Sequence, residues 1–323
     1  MSSLSVRAHI ERWPIAGSFT ISRGSKTEAV VVVAEVSDGT FTGRGEAVPY
    51  ARYGESPEKV VAQIEAWVKP GFDTLHSAFP AGAARNALDC AFWDLKAKQE
   101  KKPIYKLLGL EAPKPLIANY TISLGTPDEM AEAASRVADR PVLKVKLGKE
   151  GDPERVAAVR RAAPQARLIV DANEGWLPET LTENLEACKS CGVELVEQPL
   201  PAANDEALST VPHVMPICAD ESVFDLASLS GLAGKYDAVN IKLDKTGGLT
   251  EALAMVERAK NMGLGVMVGC MVCTSLSIAP AFLVAQQALF VDLDGPLLLA
   301  KDRAGGLRYA EGLIYPPSAS LWG

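Results

Sequence analysis

Histidine is nearly absent from this chain of 323 residues: only His9, His76 and His213 occur. None of them closes an apolar run of the kind that ends a buried strand, which argues against zinc held by imidazoles. Positive charge is also in the minority. The balance is 33 Lys and Arg against 40 Asp and Glu, a net charge of −7, with no basic stripe interleaved with aromatics, so nucleic acid is not an expected partner. No apolar run has transmembrane length, and the opening segment MSSLSVRAHIERW has no signal-peptide core; a cytoplasmic location without a membrane partner is expected. Cysteine is limited to six residues. Cys188 with Cys191 and Cys270 with Cys273 have the C-x-x-C spacing that can mark zinc. The first pair falls at a helix end and the second at a strand end, however, and small reduced thiols in the core or a pocket wall are the better reading.

Five charged residues recur at nearly one spacing: Lys146, Asp171, Glu197, Asp220 and Lys242, at intervals of 25, 26, 23 and 22. Each stands near the C-terminal end of an apolar run that reads as a buried parallel strand, namely LKVKLG (143–148), LIVDAN (168–173), VELVEQP (193–199), PICADES (216–222) and AVNIKLDK (238–245). Helical patterns such as DPERVAAVRRAAP (152–164) and GLTEALAMVERAKNMG (248–263) lie between them, which predicts one strand–loop–helix unit per step. LIANYTISL (116–124) before the set, and GVMVGCM (265–271) and FVDLDGP (290–296) after it, bring the strands to eight. Eight is the number that closes a (β/α)8-type barrel with its site at the C-terminal mouth.

On that geometry three carboxylates of adjacent strands, Asp171, Glu197 and Asp220, converge at the mouth and call for a cation. Their hard oxygens favour Mg²⁺. Lys146 and Lys242 stand on opposite sides of the same opening, where two ammonium groups can serve the two faces of one carbon. Removal of a proton α to a carboxylate through an enolate, and its return from the other side, is the chemistry this suits. Lys144 shares a strand face with Lys146 and is expected to lower the affinity of its neighbour for a proton.

The segments LKVKLG, VDANEGW, VEQPL, ADES and NIKLDKTGGLTEA, in this order and at these intervals, resemble those of the enolase superfamily in its muconate-lactonising branch. The resemblance runs through essentially the whole chain. It implies a modified (β/α)7β barrel under an α+β cap, with Asp171, Glu197 and Asp220 holding one Mg²⁺ per subunit, Lys146 and Lys242 as acid/base pair, and Lys144 as their electrostatic neighbour.

The remainder fits a cap over residues 1–114, a barrel over 115–299 and a tail over 300–323 that packs back on the cap. The cap reads as strands 5–13, 28–36 and 41–48, then helices from Pro57 after Ser56 and over 83–99. Segments 19–29 and 48–56 read as loops that reach over the mouth; Arg23, beside Gly24, can present a guanidinium to a carboxylate, and Tyr50 and Tyr53 are candidate walls. Asp292 and Asp294 flank Leu293 and form a doubly negative spot suited to an ammonium. Cys270 is a further candidate wall. This constellation resembles the dipeptide epimerases, most closely those acting on L-Ala-D/L-Glu, with Asp292 and Asp294 at the substrate ammonium and Arg23 at the glutamyl side chain. A small dipeptide is then the expected partner, and peptidoglycan recycling the implied setting; a homo-oligomer is compatible with the sequence. N-acylamino-acid racemases, o-succinylbenzoate synthases and cycloisomerases use the same lysines and metal, and a non-catalytic barrel that binds a small acid is the alternative of another class.

Overall fold

The computed structural model describes residues 4–67 and 71–323. The chain starts with an antiparallel sheet of β1 (Ser5–Ile21), β2 (Gly24–Ser37) and β3 (Thr42–Ala47), in that order. β2 carries an unbroken run of valines because both its faces are covered. Val32, Ala34 and Val36 face the helices of the cap, whereas Val31 and Val33 join the main core. The first of those helices, α1 (Pro57–Glu65), starts where expected: Ser56 accepts the N–H of Lys59 and Pro57 occupies the first turn. α2 (Leu75–Ala78) is short, and α3 (Ala83–Glu100) is the long helix against which the sheet rests. A Cβ on Gly43 or Gly45 would lie 2.1 Å from the carbonyl oxygen of Ala91 or Ala87, so strand and helix meet backbone to backbone.

After α4 (Ile104–Leu107) and the short β4 (Leu116–Ile117) the barrel begins with β5 (Tyr120–Ile122) and α5 (Pro127–Ser135). It continues through β6 (Val142–Lys146), α6 (Asp152–Ala162), β7 (Arg167–Asp171), α7 (Pro178–Ser190) and β8 (Val193–Glu197). β9 (Ile217–Ala219), β10 (Ala238–Lys242), α8 (Leu243–Thr246), α9 (Leu249–Asn261), β11 (Gly265–Gly269), α10 (Ser275–Ala285) and β12 (Phe290–Asp292) complete it. The eight strands from β5 to β12 lie in sequence order in one parallel sheet. The seam between first and last is closed by the N–H of Asn119 on the carbonyl of Val291 (3.1 Å).

Side chains alternate with period two, as a barrel requires. Leu143, Val145, Leu168, Val170, Val239 and Ile241 point out to the helices, while Ile169, Leu195, Cys218, Ala238 and Met267 fill the floor of the barrel. One inward residue further along β7 and β8, and just past β9, come Asp171, Glu197 and Asp220.

Two expectations are corrected. Residues 19–29 are not a loop: β1 runs on to Ile21 and β2 starts at Gly24, so the segment is the tip of a long hairpin that turns at Ser22-Arg23. The steps on either side of β9 hold only 3-10 turns, Ala202–Asn204, Glu206–Ser209 and Ser228–Leu232, since these stretches are short and the first is rich in proline. In the tail, β13 (Tyr309–Ala310) pairs with β14 (Leu313–Ile314), which in turn pairs with β4. Beyond them, Trp322 Nε1 donates to the carbonyl of Cys90 and the N–H of Gly323 to Asp94, both on α3.

Candidate active site

Parallel pairing sets the level of each charged group. Lys146, Asp171 and Glu197 are register partners across β6, β7 and β8, and Lys242, Gly269 and Asp292 across β10, β11 and β12. Residues in register on one barrel face converge at one height. A cavity of about 660 Å³ opens there. Its wall takes Lys144, Lys146, Asp220, Lys242, Cys270, Asp292 and Asp294 from the barrel and Arg23, Tyr50 and Tyr53 from the cap. Asp171 and Glu197 are fully buried rather than part of that wall.

One carboxylate oxygen from each of Asp171, Glu197 and Asp220 lies within 4.8 Å of the others, a donor set that can hold a metal ion. An observation inside the cluster supports the fit. Glu197 Oε2 is buried and accepts no hydrogen bond among the described residues; it stands 2.6 Å from Lys144 Nζ but outside hydrogen-bonding geometry. Hard, anionic oxygens alone suit Mg²⁺ better than a soft metal.

In this arrangement the ammonium groups balance the carboxylates. Lys146 Nζ donates to Asp171 (2.6 Å) and Lys242 Nζ to Asp220 (2.7 Å). Lys144 is within 2.6 Å of Glu197 and of Asp292 and 3.2 Å of Asp171. Burial alone would push Asp220 up, but Lys242 and Lys245 outweigh it and hold its carboxyl well below the usual range. Burial raises Glu197 to about 7, with the Asp171 charge adding and Lys144 opposing. Lys242 is held well above the usual lysine value, since Asp220 and Glu197 outweigh its burial. Lys144 is raised likewise, against its burial, by Asp292, Glu197 and Asp171. Three carboxylates, Asp171, Glu197 and Asp292, share the charge of Lys144 beside Lys146.

Several residues of the site escaped the sequence reading. Asn173 Nδ2 donates to Asp171 (3.1 Å), Asn240 Nδ2 to Glu197 (2.7 Å) and Asn119 Nδ2 to Asp292 (2.7 Å), so each amide steadies one carboxylate. Gly269 must lack a side chain, because a Cβ there would be 2.6 Å from Asn240 Oδ1. Lys245 Nζ reaches Asp220 Oδ1 at 2.6 Å and the carbonyl of Asn240 at 3.0 Å. Gln198 Oε1 accepts the N–H groups of Asp220 and Ser222, tying the end of β8 to the turn after β9. Asn240 was findable, lying two before Lys242 on the same strand face; Lys245 needed the helical turn of α8 to bring it back.

Asp292 and Asp294 do face the cavity together, and they also stitch the seam. Asp292 accepts from Asn119 and Lys144, and Asp294 accepts the N–H of Thr121 at 2.6 Å. Burial and the Asp292 charge raise Asp294 to about 6. From the cap, Phe19 places its ring 5.8 Å from Lys146 Nζ. Tyr53 packs on Tyr50 and Phe224, with ring centroids 5.7 and 5.0 Å away. Arg23 is already engaged by the barrel rim: Nη2 donates to Glu221 (2.7 Å), and Nη1 to the carbonyl of Asn173 (2.9 Å) and to Glu174 (3.2 Å).

A parallel barrel whose mouth combines three convergent carboxylates with lysines on facing strands, beneath a hairpin from an α+β cap, defines a class of enzymes that handle acidic carbon centres. The chain belongs to the enolase superfamily: residues 129–320 match the enolase C-terminal domain-like family and residues 3–109 the mandelate racemase / muconate lactonizing enzyme N-terminal domain. Over 317 residues it is 46% identical to the L-Ala-D/L-Glu epimerase of Escherichia coli K12, covering 96% of this chain and 99% of that one. It is also 46% identical over 300 residues to an N-acetyl-D-glutamate racemase from Pseudoalteromonas, covering 91% of this chain and 95% of that one. Among solved structures, an enolase-family member from Agrobacterium tumefaciens with homology to dipeptide epimerases, holding sodium and L-Ala-L-Glu, superposes with a TM-score of 0.97 at 51% identity over 99% of this chain and 100% of that one.

Proposed function

We propose that this protein is a Mg²⁺-dependent dipeptide epimerase that inverts the α-carbon of the second residue, with L-Ala-D/L-Glu as substrate. The observation that carries this reading is one cavity that receives Lys146 and Lys242, from strands four places apart in the ring of eight, together with the Asp292/Asp294 pair. Asp171, Glu197 and Asp220 are the residues that would hold the metal. A cation held there would supply positive charge that favours departure of a proton α to a carboxylate.

The residues of the chain then divide the work. One of Lys146 and Lys242 takes the α-proton and the other delivers a proton to the opposite face, so the configuration inverts. Lys144, fixed among carboxylates, contributes charge rather than a proton. Asp292 is held ionised by Lys144, Lys146 and Lys242, which together outweigh its burial, and with Asp294 it forms the anionic end suited to an N-terminal ammonium. Arg23 offers a guanidinium to the glutamyl carboxylate. Tyr50, Tyr53 and Cys270 bound the space between. No described helix is long and apolar enough to cross a membrane. A cytoplasmic enzyme of peptidoglycan peptide metabolism, with a dipeptide and neither nucleic acid nor membrane as partner, accords with this reading.

The similarity to an N-acetyl-D-glutamate racemase supports a second reading, racemisation of N-acylated glutamate. The acid pair separates the two, since an acylated amine carries no ammonium. With Mg²⁺, L-Ala-L-Glu is expected to convert to L-Ala-D-Glu, chelation by EDTA to stop it, and N-acetyl-L-glutamate to react about 100-fold more slowly, the scale set by leaving a buried charge unpaired. A preference for N-acetyl-L-glutamate would establish the second reading instead.

A further inference from the structure

Arg23 has a rival claim on it. The two residues after the β7 strand-end pair, Asn173 and Glu174, hold left-handed backbone at φ 45° and 65°, a region that non-glycine residues seldom occupy. This strained turn aims the Asn173 carbonyl and the Glu174 carboxylate at the hairpin tip, where Ser22 Oγ (2.9 Å) and Arg23 Nη1 (2.9 Å) donate to the same carbonyl. Glu174 also takes two hydrogen bonds from Arg52 of the second cap loop, at 2.8 and 2.6 Å. Opposite, Glu221 follows Asp220 on the rim, its side chain 2% exposed, with Oε1 on Arg23 and Oε2 buried without a hydrogen bond. Two guanidinium groups thus face two carboxylates, and the charge at this corner of the cavity is balanced before any substrate arrives.

A glutamyl carboxylate brought to Arg23 adds a third negative charge to this corner. It gains a full ion pair only if a resident acid gives way. Glu174 is anchored from several sides, by Arg52 and by the N–H of Ala202 (2.9 Å). Glu221 has Arg23 as its only hydrogen-bonding partner among the described residues, with one oxygen still free. We infer that Glu221 is a specificity-determining residue: it holds Arg23 at the barrel rim and competes with the acidic side chain of the substrate, so it tempers the preference for glutamate over neutral second residues. Neutral side chains meet a compensated wall, and acidic ones must displace Glu221.

This inference rests on the dipeptide epimerase reading, and its test separates the two. KM for L-Ala-L-Glu, and the inhibition constant of L-Ala-L-Leu in competition with it, are measured at saturating Mg²⁺ for the native protein and for Glu221→Gln. The variant should lower KM for L-Ala-L-Glu about tenfold relative to the L-Ala-L-Leu constant, the scale of one charge-assisted hydrogen bond, with kcat changed far less. A purely structural role would move both constants alike and leave their ratio unchanged, which would overturn the inference. Glu174→Gln removes one contact to Arg23 and leaves Glu221 in place; it should shift the ratio in the same direction by a smaller factor, and it carries the test alone if Glu221→Gln does not fold. Failure of the native protein to turn over L-Ala-L-Glu would overturn the underlying reading and the inference together; turnover with an unchanged ratio would overturn the inference alone.

Discussion

Asp244, two residues beyond Lys242, shows how a single side chain joins cap and barrel. Its Oδ1 accepts the N–H of Val48 and the amide of Asn86, both at 2.9 Å, and so pins the start of the 48–56 loop. Burial pushes its carboxyl up to about 7, more than these hydrogen bonds lower it. The folded form therefore binds this proton where the unfolded chain, at 3.8, has released it. The stability contributed is complete below about pH 4 and is lost as pH rises through about 7. Asp244→Asn keeps the acceptor and removes the titration. Its thermal midpoint should gain on that of the native protein as pH rises across this window; parallel curves would show that Asp244 does not titrate there. At this scale the sequence was legible where a charge ended an apolar run, as at Asp171 or Lys242. Amides such as Asn240, and glycines such as Gly269, carry no such mark, because their part depends on a neighbour across the sheet.

Among elements, the contact between β3 and α3 is the tightest constraint on the cap. Gly45→Ala would set a Cβ 2.1 Å from the carbonyl oxygen of Ala87 and 2.7 Å from the N–H nitrogen of Ala91, and backbone cannot step aside as a side chain can. The substitution should cost at least ~1–3 kcal/mol in denaturant unfolding, the usual scale of overpacking. A native-like midpoint would mean that strand and helix can slide apart. The elements themselves were readable from period and caps, as Ser56-Pro57 and the barrel runs show. The hairpin arm over 14–27 was not, since its side chains are mostly exposed or half-buried and give no alternation of apolar and polar residues. What holds it is remote in sequence: the N–H of Leu124 donates to the carbonyl of Thr20 (3.0 Å), and Ser22 to that of Asn173.

For the molecule as a whole, the cap, the barrel and the tail are tied through the same few acids. Glu46 of β3 accepts from Arg303 of the tail (2.8 Å) and from the N–H of Thr274 at the start of α10 (2.8 Å), while Arg303 also reaches Glu11. Eight regularly spaced strands made the barrel legible from sequence, and the charged ends of five of them located its mouth. The balance of charge inside that mouth was not legible, since it depends on distances between residues far apart in the chain: Lys144 shares its charge with Asp292, 148 positions away, and Arg23 with Glu221, 198 positions away. The central claim is that two lysines on opposite strands act on one α-carbon, and proton NMR of L-Ala-L-Glu in D₂O with Mg²⁺ tests it most directly. The native protein should exchange the glutamyl α-proton for deuterium while the signals of L-Ala-D-Glu grow. Lys146→Ala and Lys242→Ala should each lose epimerisation, by roughly 10²–10⁴-fold. Undiminished epimerisation by either variant, or no α-proton exchange by the native protein, would contradict the account.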